Sequence, residues 1–253
     1  MYVTIHQPYF LPWLGYFSKL AYSSHFIVLD DVDFRKRHYL DRTRIVNMHG
    51  DVQWINVPVG QNYKAPLHQV TIKDHHHYIA KIIRTIESSY SKARNYEKEW
   101  PYIKELLLDA ASSEDNLVDL NIRMIVGICN RIDIRMPTII KSSEMTLGSD
   151  LEATSRIEAI FHELPNNKLL IGDGKSSEVH DLQSITTHDI EIYIQEFSKL
   201  HPTYTQTRRK FLGFASGLSI LDCMLNEGSR KTQQLICGDS FQPVPVKADT
   251  PVF

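Results

Sequence analysis

Residues 2–29 constrain the fold more than any other part of the chain, because they carry the pattern of a strand, a helix and a second strand. The run Tyr2–Ile5 is rich in β-branched residues, and Pro8, which has no amide hydrogen for a strand ladder, follows it. Apolar residues at helical spacing predict a helix over residues 11–23, and residues 26–29 predict a second buried strand. Such a unit makes a right-handed parallel crossover, with ligand groups at the carboxyl ends of its strands.

The same α/β rhythm returns later in the chain. Further strands are predicted at residues 53–59, 138–140, 168–171 and 190–197, and helices at 77–94, 97–111, 117–129, 151–163 and 218–224. We therefore expect an α/β fold with a largely parallel, Rossmann-like sheet. Residues 1–238 form its single domain, residues 77–130 form a helical insertion that caps the site, and residues 239–253 form an extended tail.

Charge and cysteine usage exclude several classes of protein. Lys and Arg number 28 against 30 Asp and Glu, so the formal net charge is −2, and nucleic-acid binding by bulk positive charge is excluded. The three cysteines are few and far apart, which argues against a disulfide framework or a zinc site. No apolar run reaches the length of about 18 residues that spans a membrane, and no signal peptide is recognisable. We expect a cytoplasmic protein without a metal centre.

The densest cluster of chemically useful side chains is the run His6–Phe17. It places an imidazole and the Gln7 amide at the end of the first strand, and the rings of Tyr9, Trp13 and Tyr16 offer faces on which a base can stack. The carboxyl end of a parallel strand is the usual position of the ligand crevice. The alternative is that the rings belong to the core and the imidazole is buried with its hydrogen bonds satisfied.

His6 is the candidate general base, because an imidazole pKa near 6.5 suits proton removal from an attacking amine. Asp31 and Asp33 end the neighbouring strand and can orient this imidazole. They can equally cap a turn or bind a divalent cation, since an Asp-x-Asp pair at a strand end is a weak metal signal.

Two further groups of polar residues are candidates for substrate binding. Lys36, Arg42 and Arg44 follow the second strand and can neutralise a pyrophosphate, although a solvated positive face explains them too. The second group lies near the C-terminal helix, and one helical turn separates some of its members, namely Tyr204, Gln206, Asp222, Asn226 and Glu227. Its members either contact a partner group or end the helix at Gly228.

Several of these motifs resemble a known family. They are the run His6–Phe17 with Lys19, then Asp31–Phe34, Arg42, Arg44–Ile45, Trp54–Val59, Tyr204 with Gln206, Phe211, Leu218–Asp222 and Leu225–Gly228. Together they resemble the WbqC-like protein family of bacterial O-antigen and other surface-polysaccharide gene clusters, and the resemblance spans nearly the whole chain. It implies modification of dideoxyamino sugars on nucleotide carriers, by transfer of an aminoacyl group such as glycyl to the sugar amine.

The resemblance and the residues together predict a transferase that N-acylates a nucleotide-linked amino sugar. His6 is its base, Asp31 and Asp33 assist, and the predicted substrate-binding residues are Gln7, Tyr9, Trp13, Tyr16, Lys19, Lys36, Arg42, Arg44, Tyr204, Gln206, Asp222, Asn226 and Glu227. The reaction needs an activated acyl donor, either a carrier-protein thioester or a nucleotide-activated acyl group. An acyl carrier protein and a second copy of the chain are the candidate protein partners.

Two other functions remain open at this point. A strand ending in histidine before a helix also suggests an adenylyl-transferring, ligase-type enzyme, which needs ATP and Mg²⁺. The chain can also be a non-catalytic partner that binds the nucleotide sugar for neighbouring enzymes.

Overall fold

The structure is a computed structural model that describes residues 1–35, 38–60, 65–148, 151–173, 185, 189–238 and 242–246. Lys36 and most of the predicted tail, residues 239–241 and 247–253, lie outside the described residues. No helix within the described ranges is long and apolar enough to cross a bilayer.

The described elements follow the predicted order closely. The strands are β1 (Tyr2–His6), β2 (Ser23–Val28), β3 (Arg42–Val46), β4 (Val52–Asn56), β5 (Thr138–Lys141), β6 (Lys168–Gly172), β7 (Glu191–Gln195) and β8 (Val244–Pro245). The helices are α1 (Leu14–Tyr22), α2 (His75–Tyr90), α3 (Tyr96–Ser113), α4 (Leu117–Arg131), α5 (Ala153–His162), α6 (Ile220–Glu227) and α7 (Ser229–Ile236), with short 3₁₀ turns at Leu67–Gln69 and Ser142–Glu144.

Six strands form the central sheet in the order β5-β2-β1-β6-β7-β8. The pairs β5–β2, β2–β1, β1–β6 and β6–β7 are parallel, and only β8 is antiparallel to its neighbour. The predicted α/β fold with a largely parallel, Rossmann-like sheet is therefore confirmed. The short β8 belongs to the predicted tail, and its extended backbone pairs with β7.

The sheet reverses its direction of growth between β1 and β6. From β1 the chain adds β2 and then β5 on one side, and it then crosses to add β6 and β7 on the other side. Val3 of β1 pairs with Leu169 of β6, so these two strands are neighbours although 166 positions separate the residues. In open α/β sheets, the carboxyl edge at such a switch point is where ligands bind. His6 and Gly172 end the two strands there.

Two hydrophobic cores flank the sheet. The larger core joins α1–α4 and α6 through buried residues such as Phe17, Ile86 and Met224, and the smaller core lies under α5 around Ile160. Helices α2–α4 span most of the residues of the predicted insertion, and α3 packs against both α2 and α4. No described residue of α2–α4 lines the two cavities, of about 840 and 480 Å³, that lie at the carboxyl edge of the sheet, so neither cavity has the predicted position between the sheet and this insertion.

A separate antiparallel hairpin, β3–β4, carries the predicted arginines. The sequence predicts a strand at residues 53–59, and the structure adds the partner strand Arg42–Val46, which the sequence pattern does not reveal. Arg42 and Arg44 are two positions apart, so they lie on one face of this hairpin. The Arg44 carbonyl accepts a hydrogen bond from the Ser219 amide at 2.8 Å, which joins the hairpin to the start of α6.

Candidate functional site

A cleft of about 480 Å³ opens at the switch point, and we call it the aromatic cleft. His6, Trp13 and Lys19 line it from β1 and α1. Gly172 and Gln195 line it from the ends of β6 and β7. Its volume falls within the range of a few hundred to about 1,000 Å³ that is usual for small-molecule sites. The sequence prediction of a ligand crevice at the end of the first strand therefore coincides with a real cavity.

The His6 imidazole is half-buried at the carboxyl end of β1. Its Nδ1 lies 2.8 Å from the Gln7 carbonyl oxygen, which also accepts a hydrogen bond from the Tyr16 hydroxyl at 3.0 Å. Because a carbonyl oxygen can only accept, Nδ1 carries the proton, and the lone pair of the neutral ring is on Nε2. Burial holds the His6 pKa well below its ordinary value, and the charges of Lys19 and His38 lower it further. The ring is therefore neutral at pH 7, and it is a weaker base than the ordinary imidazole, with its pKa near 6.5, that the sequence analysis assumes.

Lys19 supplies a buried cation at the floor of the cleft. Its side chain comes from α1 and is 8% exposed. Burial lowers its pKa to about 8, although the Asp173 carboxylate acts in the opposite direction. A Cβ placed on Gly172 would lie 4.0 Å from the ammonium nitrogen, so this nitrogen is close to the end of β6. Its position suits an interaction with negative charge on a ligand or on a reacting oxygen.

Aromatic side chains form two walls of the cleft. On one side the Tyr9 ring meets the edge of His6 at a centroid distance of 4.6 Å and lies 5.6 Å from Tyr39. On the other side Trp13 stacks on His201 at 5.9 Å, with 19° between the ring planes. Burial raises the Tyr9 pKa to about 12, so its hydroxyl remains protonated at neutral pH. The walls offer π faces for a planar group such as a nucleobase.

Part of the cleft comes from residues that the sequence analysis does not select. Phe197 and His201 follow the end of β7, and Asp173 follows the end of β6. Asp173 accepts hydrogen bonds from the Ser198 and Lys199 amides at 3.2 and 3.1 Å, which fixes the turn after β7. Ligands bind at the carboxyl ends of parallel strands, and this rule, which selects the end of the first strand, applies equally to β6 and β7. Applied to those two strands, it indicates these residues.

Asp31 and Asp33 line a second, larger cavity instead of the aromatic cleft. The Asp31 carboxylate forms an ion pair with Arg156 and accepts a hydrogen bond from the Ser142 hydroxyl. The predicted contact with His6 is therefore replaced by these two partners. The imidazole is oriented by the Gln7 carbonyl.

The two predicted arginines contact other parts of the protein. The Arg44 guanidinium donates hydrogen bonds to the carbonyl oxygens of Ser216 and Gly217 at 2.9 and 3.0 Å. Ser216 and Gly217 line the aromatic cleft, so Arg44 positions its wall. The Arg42 guanidinium lies over the Trp54 ring, 4.0 Å from the centroid. Neither arginine is among the described residues that line the cleft.

The C-terminal polar cluster is buried beside the cleft wall. The Asp222 carboxylate accepts hydrogen bonds from the Tyr90 hydroxyl at 2.8 Å and from the Gln206 amide at 3.2 Å. Burial raises the Asp222 pKa to about 6. Asn226 Oδ1 accepts from the Thr207 amide at 3.0 Å.

The C-terminal polar cluster holds residues 205–207 against α6 by hydrogen bonds. Glu227 accepts from the Thr205 amide at 2.9 Å, so α6 holds residues 205–207 in three places. Helix α6 also ends before Gly228, whose φ is +84°, as the alternative interpretation expects. None of the cluster residues is among the described lining of the aromatic cleft.

The side chains of the described residues determine which chemistry the aromatic cleft can support. In the part of the chain that the structure describes, no three His, Cys, Asp or Glu side chains are grouped for metal binding. The aromatic cleft instead combines stacking faces, a neutral imidazole and one buried ammonium. This combination can bind a planar base and accept a proton from a nucleophile.

Comparison with known proteins shows which family this chain is similar to. The model of the family described as the WbqC-like protein family matches residues 7–234. The uncharacterized protein Rv1507c of Mycobacterium tuberculosis is 27% identical over 240 residues, covering 92% of this chain and 96% of that protein. No solved structure matches significantly.

Proposed function

The chain belongs to the WbqC-like protein family, and from this premise we propose that it is a transferase that N-acylates the amine of a nucleotide-linked dideoxyamino sugar in O-antigen biosynthesis. The acyl group is an aminoacyl group such as glycyl. The observation that carries the proposal is the aromatic cleft, in which a neutral imidazole and stacking faces share one cavity at the switch point. Cytoplasmic location is part of the same proposal.

The base of the nucleotide stacks against Trp13 or Tyr9, which puts the sugar amine toward His6. As the amine attacks the acyl carbon, a nitrogen–carbon bond forms and His6 Nε2 takes the amine proton. The bond between the acyl carbon and its activating group then breaks, and the leaving group departs with the electron pair. Lys19 stabilises the negative charge that develops on the carbonyl oxygen, because its ammonium is held in a buried position.

The remaining predicted residues act indirectly in this proposal. Gln7 and Tyr16 orient the imidazole through the Gln7 carbonyl. Arg44 supports the Ser216–Gly217 backbone, and the cluster around Asp222 holds the segment that precedes it. They are positioning residues, so their substitution changes binding through the shape of the cleft.

The test is a screen of nucleoside diphosphate sugars with and without a free amine, first for thermal stabilisation and then for turnover with thioester and acyl-adenylate donors. We expect His6→Ala to bind the amino sugar with nearly unchanged affinity and to lose turnover by 10²–10⁴-fold, the usual contribution of a general base. His25→Ala, on β2 beside Ser24, is the matched control and keeps full turnover.

Three outcomes would redirect the proposal. Unchanged turnover in His6→Ala removes this residue from the mechanism. ATP-dependent release of pyrophosphate in the presence of the sugar supports an adenylyl-transferring enzyme with Mg²⁺. Binding without turnover, for every donor tried, supports a nucleotide-sugar-binding partner.

A further inference from the structure

A second cavity of about 840 Å³ lies next to the aromatic cleft at the carboxyl edge of the sheet. This larger cavity is lined by β6, by residues that follow β2 and β5, and by α5. Lys19 is the described residue that lines both this larger cavity and the aromatic cleft. The Lys19 side chain therefore borders both spaces. A reaction between two separately bound substrates requires binding spaces that adjoin in this way.

The two cavities differ in the kind of side chain that lines them. The aromatic cleft has the rings of Tyr9, Trp13 and Phe197, and its accessible lining is mostly apolar. The larger cavity instead combines half-buried aliphatic side chains, such as Leu29, Leu147 and Leu151, with polar groups that make up slightly more than half of its accessible lining. Among the described residues that line the larger cavity there is no phenyl, phenol or indole ring. A nucleobase therefore finds stacking partners in the cleft, and an aliphatic chain fits the larger cavity better.

The larger cavity also has a polar side. Ser142, Ser143 and the Asp31–Arg156 ion pair line it where β2 and β5 end, and Arg35 lies at its exposed margin. The Arg156 and Asp31 side chains are only 15% and 22% exposed. Hydroxyl, guanidinium and carboxylate groups beside an aliphatic wall suit a chain that carries amide groups along its length and an anionic group at one end.

We propose that the larger cavity binds the acyl donor as a thioester on a phosphopantetheine arm, with the thioester carbon next to Lys19. This inference rests on the proposed function, and it assigns the donor to a thioester and not to an acyl adenylate. The sugar amine bonds to the thioester carbon, the carbon–sulfur bond breaks, and sulfur leaves as a thiolate. The amine proton passes to His6 Nε2, from which the thiolate can recover it, so no oxidant or metal is consumed.

The test measures binding of a phosphopantetheine analogue in which a CH₂ group replaces the thioester sulfur, so that transfer cannot occur. Titration calorimetry on the full chain compares the natural protein with two variants that fill the cavity, Gly148→Trp and Ala153→Trp. Both residues line the cavity and are exposed, and the nearest atom to a Cβ on Gly148 is 3.6 Å away, so either variant can fold. Ser155→Trp, exposed on the same helix but outside the lining, is the matched control.

We expect the analogue to bind the natural protein and the Ser155 variant equally, and both filling variants at least tenfold more weakly. A nucleoside diphosphate amino sugar should bind all four proteins alike, because the filling variants leave the aromatic cleft intact. If the analogue does not bind the natural protein, or binds the filling variants as well as the control, the proposal is overturned. It is also overturned if an acyl-sulfamoyl adenosine is the ligand that the filling variants exclude.

Failure of this inference and failure of the proposed function give different results. If the thioester analogue binds in the expected pattern but no nucleoside diphosphate sugar binds, the donor cavity stands and the sugar assignment is wrong. If the sugar binds in a manner sensitive to Trp13→Ala but the analogue does not bind, the sugar site stands and the thioester assignment is wrong.

Discussion

The absence of a Cβ atom at a glycine can decide how closely a neighbouring side chain packs at the aromatic cleft. A Cβ added to Gly15 would lie 2.5 Å from the Trp13 indole, nearer than real Cβ contacts come, so the ring can lie over α1 only because residue 15 is glycine. A Cβ on Gly172 would meet only the Lys19 ammonium, at 4.0 Å, which is ordinary contact. Packing therefore requires glycine at position 15 but not at position 172.

Gly15→Ala should displace the Trp13 ring and reduce the affinity for a nucleotide sugar at least tenfold. The overpacking cost of about 1–3 kcal/mol is partly offset by the better helix propensity of alanine, worth up to about 1 kcal/mol, so stability changes less than binding. Titration calorimetry and denaturant unfolding measure the two effects. Gly172→Ala is the control, and an equal loss of affinity in both variants would contradict this account of the wall.

Lys19 should make stability depend on pH in the alkaline range. Its pKa of about 8 in the folded protein is below the ordinary 10.5, so between these values the unfolded chain holds a proton that the folded protein has released. The free energy of unfolding therefore rises from pH 8 to pH 10.5, by on the order of 3 kcal/mol if the whole shift is expressed. Lys19→Met should remove this rise.

Urea unfolding at several pH values from 7 to 10, taken as the difference between the natural protein and the variant, isolates the effect of this one group. Lys92→Met changes an exposed lysine and should leave the pH profile unaltered. If the free energy of unfolding of Lys19→Met changes with pH in the same way as that of the natural protein, burial does not lower the pKa of Lys19.

The sequence identifies residues that line the cleft where they follow the first strand, but it does not reveal hydrogen-bond partners that are distant along the chain. His6, Tyr9, Trp13 and Lys19 all line the cleft, because a strand that ends in polar and aromatic residues indicates a ligand edge. The role of Arg44 was not predictable, since its carbonyl partners lie 172 and 173 positions away. A guanidinium in a sequence pattern indicates charge, whereas its hydrogen bonds depend on the tertiary fold.

At the scale of elements, α6 determines the shape of the cleft without touching it. Its Asp222 and Asn226 side chains hold residues 206 and 207, and Gln206 in turn exchanges hydrogen bonds with the Ala215 backbone at 2.8 Å in both directions. Residue 215 immediately precedes the Ser216–Gly217 backbone of the cleft wall. The sequence predicts the helix, but its partners Tyr90 and Thr207 become neighbours only in the folded chain.

Asn226→Ala should loosen the wall segment. It leaves the half-buried Thr207 amide without its acceptor and removes the bond from Nδ2 to the Asp222 carbonyl, which together cost about 1–3 kcal/mol. Hydrogen exchange should accelerate over residues 204–217 while β1 and β2 stay protected. Glu227→Ala, at a half-buried position on the same helix, should cost less than half as much. Equal effects of the two changes would show that burial of Asn226 does not matter.

At the scale of the whole molecule, the order of the strands assembles the site. The predicted strands are nearly all present, because their apolar runs are local signals, but the adjacency of β1 and β6 depends on a crossover that no local pattern specifies. For the same reason the sequence places the site under the helical insertion, whereas the described lining of the aromatic cleft comes from β1, α1, the ends of β6 and β7, and loops at the carboxyl edge. Gly172 and Asp173 join the cleft only through this adjacency.

Binding of a nucleotide amino sugar should stabilise the entire chain. At a concentration one hundred times the Kd, the gain is about 2.7 kcal/mol, which for a chain of this size raises the Tm by roughly 5–10 °C. Trp13→Ala should abolish most of this shift at the same concentration, since it removes a wall of the cleft. Phe211→Ala, which removes a ring that is 91% exposed and is not among the described residues lining the cleft, is the control, and loss of the shift in that variant would place the ligand elsewhere.

The position of Lys19 between the two cavities has a consequence for the order of events in solution. Because the Lys19 side chain lines both the aromatic cleft and the larger cavity, an anion bound in one of them changes the electrostatic potential in the other. Thermodynamic linkage makes this influence mutual, so each occupant changes the affinity for its neighbour by the same factor. In the proposed reaction, the nucleotide sugar and the acyl donor would therefore influence each other's binding through the Lys19 side chain before any bond forms between them.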